Sequence, residues 1–386
     1  MKIAILTSGI LPVPAVQGGA VENLIDYYLE YNDKHRLHDI TVYSIADKAT
    51  RHHTALKSQS NHYRYIQTNS LLARLKKALL RKTEGYYNYT IEYYLNETLR
   101  RLRRRSYDVI IVENRPGFIL KLRQKTGARC ILHLHNDFLH HDIQSADVIF
   151  DGFDRIISVS DHITSRVRQI RPDTSKCVTV HNAIDLQHFH QATAFERSTV
   201  GLTDDDFVIV YSGRLRQEKG ILELVQAIKA LPDIPHIKLL VVGASAYGQD
   251  KFRNRFIAKL EKESEPVINQ IVFTGFVPYA TIPSYLKMAD IAVVPSIWEE
   301  PFGLTVVEAM AAGIPLITTR SGGLPEICDN EAVLVGRDAI VDNLATAIRD
   351  LYEHPEKRAQ LAAAALARSS QFDKDTYAKN FFAAIE

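Results

Sequence analysis

Short apolar runs, each ending in a polar or glycine-bearing loop and followed by a stretch of helical periodicity, recur along the whole chain and limit its fold more than any other feature. They lie at Ile3 to Thr7, Ile40 to Ser44, Val109 to Val112, Cys130 to Leu134 and Arg155 to Ser160. They return at Phe207 to Tyr211, Lys238 to Gly243, Ile271 to Pro278, Ile291 to Pro295 and Ala332 to Val335. Runs apolar on both faces fit strands buried between helical layers, and a strand–helix alternation builds parallel sheets through right-handed crossovers. The expected class is α/β: two Rossmann-like, doubly wound parallel-sheet domains facing across a cleft. At 386 residues the chain is long enough for two separate cores. The polar piece from Leu186 to Thr203 reads as the linker, giving domains 1–190 and 191–371. Asp47 to Asn69 reads as rich in loop.

The stretch after Ile291 to Pro295 carries the chemistry. Glu299-Glu300-Pro301-Phe302-Gly303-Leu304-Thr305-Val306-Val307-Glu308 follows a strand and opens a helix that Gly313 can end. The unpaired amides of that helix's first turn, backed by its dipole, suit an anion such as a phosphate, and Gly303 admits it close to the backbone. Glu300 stays on the loop while Glu308 sits about one turn inside the helix, so the two can touch different ends of one elongated ligand. A pair of glycosidase carboxylates across a single bond is the less natural reading.

Two further strand-end loops carry charge or glycine. Arg214 and Lys219, after Phe207 to Tyr211, place a guanidinium fork and an ammonium where diphosphate oxygens would lie. Gly18 and Gly19 precede a helix starting near Val21, but the GxGxxG fingerprint and its spacing are missing, which disfavours a nicotinamide oxidoreductase. His133, His135, His140 and His141 crowd one strand and loop, yet their spacing fits no zinc pattern. Asp204-Asp205-Asp206 contains a DxD but stands where a turn belongs, before a strand.

The wording EPFGLTVVEAMAAGIPLI from Glu300, continued by Ser321-Gly322-Gly323-Leu324-Pro325-Glu326-Ile327, resembles the signature of the family-4 retaining glycosyltransferases, which have the GT-B fold. The resemblance implies a nucleotide-sugar donor, most simply UDP-linked and hexosyl, bound by the C-terminal domain, and a glycan or lipid-linked acceptor bound by the N-terminal one. It implies that Glu300 contacts donor-sugar hydroxyls, Glu308 the ribose, the backbone of Phe302, Gly303 and Leu304 the diphosphate, and Arg214 and Lys219 the pyrophosphate. Gly18 and Gly19 fall near the donor phosphate, Phe276 and Val277 near the base, and His135 at the reaction centre. His133 is expected to point elsewhere by strand alternation. Phe372 to Glu386 resembles the helix that crosses back to the first domain. No cofactor or metal is expected. Synthesis of bacterial surface polysaccharide is the usual setting for such chains. Two other readings belong to different classes: a non-catalytic subunit of the same fold that binds sugar nucleotide, and a sugar-nucleotide epimerase.

Composition narrows the remainder. Hydrophobic content of 46% and charged content of 24% describe an ordinary globular protein. Cys130, Cys177 and Cys328 lie in or beside apolar segments, so disulfides are not expected and a cytoplasmic setting is, at the inner face of the membrane if the chain touches one. No leader and no run long enough to span a bilayer is read in the sequence. A net charge of +2 conceals a basic segment, Leu71 to Ser106, with ten basic residues against three acidic. Leu71, Leu72, Leu75 and Leu79 fall on one face of a helix there, with cations on the other. Two readings stand level: a core-facing stripe under a solvated face, or peripheral membrane contact through 71–105. Tyrosines from Tyr86 to Tyr94 interleave with these cations, but no nucleic-acid motif accompanies them and no nucleic-acid partner is expected.

Overall fold

The computed structural model describes residues 1–81, 85–171, 175–244 and 255–386. Lys82 and Glu84 of the basic segment lie outside them. The chain divides into two units, Met1–Asn182 with Lys374–Glu386, and Ala183–Asp373.

In the first unit seven described strands form one sheet: β1 (Lys2–Leu6), β2 (Asp39–Ile45), β3 (Asn61–Ile66), β4 (Val109–Glu113), β5 (Arg129–Leu134), β6 (Arg155–Ser158) and β7 (Cys177–Thr179). Their order is β3-β2-β1-β4-β5-β6-β7 and every pairing is parallel. The inner strands are buried on both faces, which is why β1 and β4 read as unbroken apolar runs. The sheet's edge explains why one of its strands is hidden in the sequence. β3 falls inside the supposed loop region 47–69, and its alternating His62, Tyr63, Arg64 and Tyr65 are only partly covered. An edge strand pairs on one side alone, so it needs no apolar run.

The second unit carries β8 (Phe207–Ser212), β9 (Ile237–Val242), β10 (Ile271–Gly275), β11 (Ile291–Val294), β12 (Leu316–Thr319) and β13 (Val333–Val335). Their order is β10-β9-β8-β11-β12-β13, again parallel throughout. Each sheet thus reverses direction beside its first strand, at β1/β4 and at β8/β11, and such a switch point opens a crevice at the strands' carboxyl ends. The expected linker is more ordered than its polarity suggests. It holds a helix, Leu186–Gln191, capped by the Asp185 carboxylate, which accepts from His188 N at 3.3 Å.

The helix Lys374–Ile385 packs on the helix Ala20–His35 of the first unit, with Phe381 stacked on Tyr28 at 4.3 Å between ring centroids. Arg155 Nη1 donates to Ala384 O at 2.6 Å, tying that helix to the start of β6. Cys130, Cys177 and Cys328 are all buried free thiols. Among the described residues no helix is long and apolar enough to cross a membrane.

Candidate active site

The carboxyl ends of β8 and β11 flank the switch point of the second sheet, and the chain delivers most of the named residues there. After β8 comes Arg214, whose side chain is exposed, then a turn, Gln217–Lys219, that closes at Gly220. Gly220 has φ of 72°, and a Cβ added to it would stand 1.8 Å from Pro295 O. Only glycine lets this loop lie so close to the one that follows β11. Ile297 N donates to Glu218 O at 3.0 Å, fastening the two loops together.

This fastening sets the central ion pair. Lys219 Nζ lies 2.6 Å from Glu300 Oε1, and the Ser296 hydroxyl donates to the same oxygen. Glu300 is buried, so its charge is kept by these two donors rather than by water. The Lys219 ammonium also stands 5.4 Å from the Trp298 ring centroid. The Glu300 carbonyl accepts from Gly323 N at 2.8 Å, which fixes the loop from the far side.

Gly303, at φ of 113°, starts the helix Leu304–Ala311, which has no side-chain cap and no acidic residue in its first turn. Its first amides are therefore left to a ligand or water. Phe302 is buried, its ring edge-on to Phe372 at 5.8 Å between centroids. Glu308 lies further along the helix and is buried; burial pushes its carboxyl up to about 7 against the pull of a hydrogen bond with Tyr279. Phe276, exposed, and Val277, half-buried, follow β10 and lead to Tyr279. The second unit thus joins Lys219 to Glu300 directly and links the loop after β10 to Glu308 through Tyr279.

Gly18, Gly19 and His135 belong to the first unit. Gly18 and Gly19 both take positive φ, 73° and 112°, immediately before the helix Ala20–His35. Glu22, in that helix's first turn, is buried, and its carboxyl is raised to about 7 by desolvation. His135 lies just past β5, with Nε2 at 2.9 Å from Glu113 Oε2. His133 does not turn away as expected. Its Nδ1 lies 3.1 Å from the same Glu113 oxygen, because residues two apart on a strand share a face and the parallel register sets Glu113 opposite His133. Tyr28 donates to Glu113 Oε1 at 3.0 Å.

Burial would raise the Glu113 carboxyl, but His133 and His135 outweigh it and hold it down at about 2. His135 is held down at about 4 by burial, helped by His133 and opposed by Glu113. At neutral pH the arrangement is an ionised carboxylate accepting from the Nε2–H of a neutral His135. The other ring nitrogen, Nδ1, is buried without a hydrogen-bond partner. One ligand atom from each of Glu113, His133 and His135 lies within 4.8 Å of the others, a donor set a divalent transition ion accepts, although here the groups bond one another. His140 and His141 instead face Asp142, at 3.5 and 3.0 Å. Asp206 of the DxD serves its turn, its carboxylate accepting from Thr203 N at 2.7 Å.

Sequence reasoning missed Ser296, Tyr279 and Glu113. Glu113 had a signal, since it ends β4 beside the histidine strand. Ser296 is singled out only by the loop that buries it, and Tyr279 only by its hydrogen bond with Glu308.

Residues 193–368 match the family described as glycosyl transferases group 1, a span that includes Arg214, Lys219, Glu300 and Glu308. The second unit is thus that of a group 1 glycosyltransferase. Its GT-B fold is that of HepE from Anabaena, solved in complex with UDP and glucose, with a TM-score of 0.75 at 22% identity over 100% of this chain and 99% of that one. Among curated relatives, the spore coat protein SA of Bacillus subtilis is 29% identical over 94% of this glycosyltransferase and 92% of its own length. The lipopolysaccharide 1,2-N-acetylglucosaminetransferase of Salmonella typhimurium is 24% identical over 64% of this chain and 65% of its own.

Proposed function

We propose that this glycosyltransferase belongs to the retaining family 4 and moves a hexosyl group from a UDP-linked sugar to a glycan or lipid-linked saccharide. The observation that carries the reading is the Lys219–Glu300 pair at 2.6 Å, set beside exposed Arg214 and the uncapped helix after Gly303. Residues 191–371 take the donor and 1–190 the acceptor. Glu300 keeps Lys219 and Ser296 on Oε1 and offers Oε2 to donor-sugar hydroxyls. Glu308 accepts from the ribose, and the backbone near Phe276 and Val277 meets the base. Gly18 and Gly19 lie by the donor phosphate.

In the reaction the bond from the anomeric carbon to the diphosphate breaks and one to the acceptor oxygen forms on the same face. The acceptor's proton passes to the leaving phosphate oxygen. Negative charge grows on the diphosphate, where Arg214, Lys219 and the amides of Phe302, Gly303 and Leu304 stabilise it without a metal. The neutral His135 offers Nδ1 as an acceptor at the transferred sugar.

A role in bacterial surface polysaccharide, on the cytoplasmic side of the membrane, is supported by the Salmonella relative, whose name places it in lipopolysaccharide synthesis. The UDP assignment is supported by the ligands of the HepE structure. Calorimetric binding of UDP, GDP and ADP, with and without chelator, tests the reading. Selective binding of UDP in chelator, lost in Glu308→Ala, is expected; equal binding of all three, or binding abolished by chelator, overturns it.

A further inference from the structure

The helix Leu71–Leu80 wears its apolar face outward. Leu71, Leu72, Leu75 and Leu79 are 75%, 71%, 59% and 70% exposed, while Ala73 is the residue it buries. At 3.6 residues per turn, 71, 75 and 79 form one stripe with 72 beside it, on the side away from Ala73. Of the two level readings, the core-facing stripe is thus the one the structure removes. The opposite side is anchored on the helix Tyr89–Leu102, with Lys76 Nζ on Glu97 Oε1 at 2.6 Å and Arg81 Nη2 on the Tyr89 hydroxyl at 2.9 Å.

These two contacts run antiparallel, and they fix where the cations lie. Arg81 and Tyr89 meet at one end, so the Leu71 end lies toward Arg100 and the exposed Arg103, Arg104 and Arg105. Arg74, also exposed, flanks the stripe. Glu97, the acid facing this helix, is already held by Lys76 and Arg100.

We propose that this face docks on a bilayer surface carrying anionic headgroups, the leucines entering the acyl boundary and the arginines meeting the phosphates. Four leucines bordered by guanidinium groups complement both layers of such a surface at once. A second copy of the chain would instead bring two sets of arginines together across its symmetry axis. The inference deepens the membrane setting of the proposed function by naming the contact, yet its test uses neither donor nor acceptor, so the two can fail separately.

The experiment is co-sedimentation of the full chain with vesicles of phosphatidylcholine, with and without phosphatidylglycerol. Binding to the mixed vesicles is expected, weaker by about 10-fold on the neutral ones and in high salt. The double variant Leu75→Ser, Leu79→Ser should lower partitioning about 100-fold with circular dichroism unchanged. Arg104→Glu with Arg105→Glu should abolish the preference for phosphatidylglycerol. Equal binding of the leucine variant and the parent overturns the proposal. So does a concentration-dependent dimer that the leucine variant loses while neither protein binds vesicles, which would give the face to a second copy.

Discussion

Burial, rather than a charged partner, controls the proton of Glu308. Burial raises its carboxyl from 4.5 to about 7, so the folded state holds the proton more tightly than the unfolded one. Stability attributable to this residue therefore falls as pH rises from about 4.5 to about 7 and stays lost above. Glu308→Gln removes the effect and should raise stability at about pH 8 by on the order of 1–3 kcal/mol, with little gain at about pH 5, as urea denaturation would record. Ribose hydroxyls donate best to the ionised form, so UDP affinity in the parent should climb with pH toward about 7 and then level, while the Gln variant gives a flat profile. The pair at Lys219 behaves differently. Lys219→Met strands a buried carboxylate and should cost about 2–4 kcal/mol in denaturant unfolding, whereas Lys219→Met with Glu300→Gln should recover most of it. Transfer should fall strongly in both.

Among the elements, the strands buried on both faces announce themselves, as at β1 and β4, because nothing polar can occupy either side of them. The edge strand β3 does not, since its tyrosines and Arg64 need cover on one side only. The Leu71–Leu80 helix is legible as a helix, but periodicity reports that an apolar face exists and not what lies against it; the outward turn comes from its anchor on Glu97. Arg214, Lys219, Glu300 and Glu308 were readable from motif and strand-end position. Their mutual geometry was not, because it depends on two loops meeting at Gly220. Gly220→Ala should accordingly destabilise the second unit by more than about 2 kcal/mol, since positive φ and the Pro295 carbonyl both oppose a methyl group. Gly127→Ala, where an added Cβ meets nothing within 4 Å, should change stability by less than about 0.5 kcal/mol, and thermal melts of both variants check the contrast.

For the whole molecule the division of the chain matters more than any one contact. The second unit is one continuous segment, Ala183–Asp373, whereas the first is assembled from Met1–Asn182 and Lys374–Glu386. Removing residues 374–386 should strip Phe381 from Tyr28 and bare the apolar side of the Ala20–His35 helix. Calorimetry should then find the first unit's transition lowered or lost and that of the second nearly unchanged. The same division sets an order of events on the ribosome. Residues 374–386 emerge only after every residue of the second unit, so until they do the first unit exposes the groove its closing helix will fill. During that interval the unsealed surface around Tyr28 is the part of the nascent protein that a chaperone would have to shield.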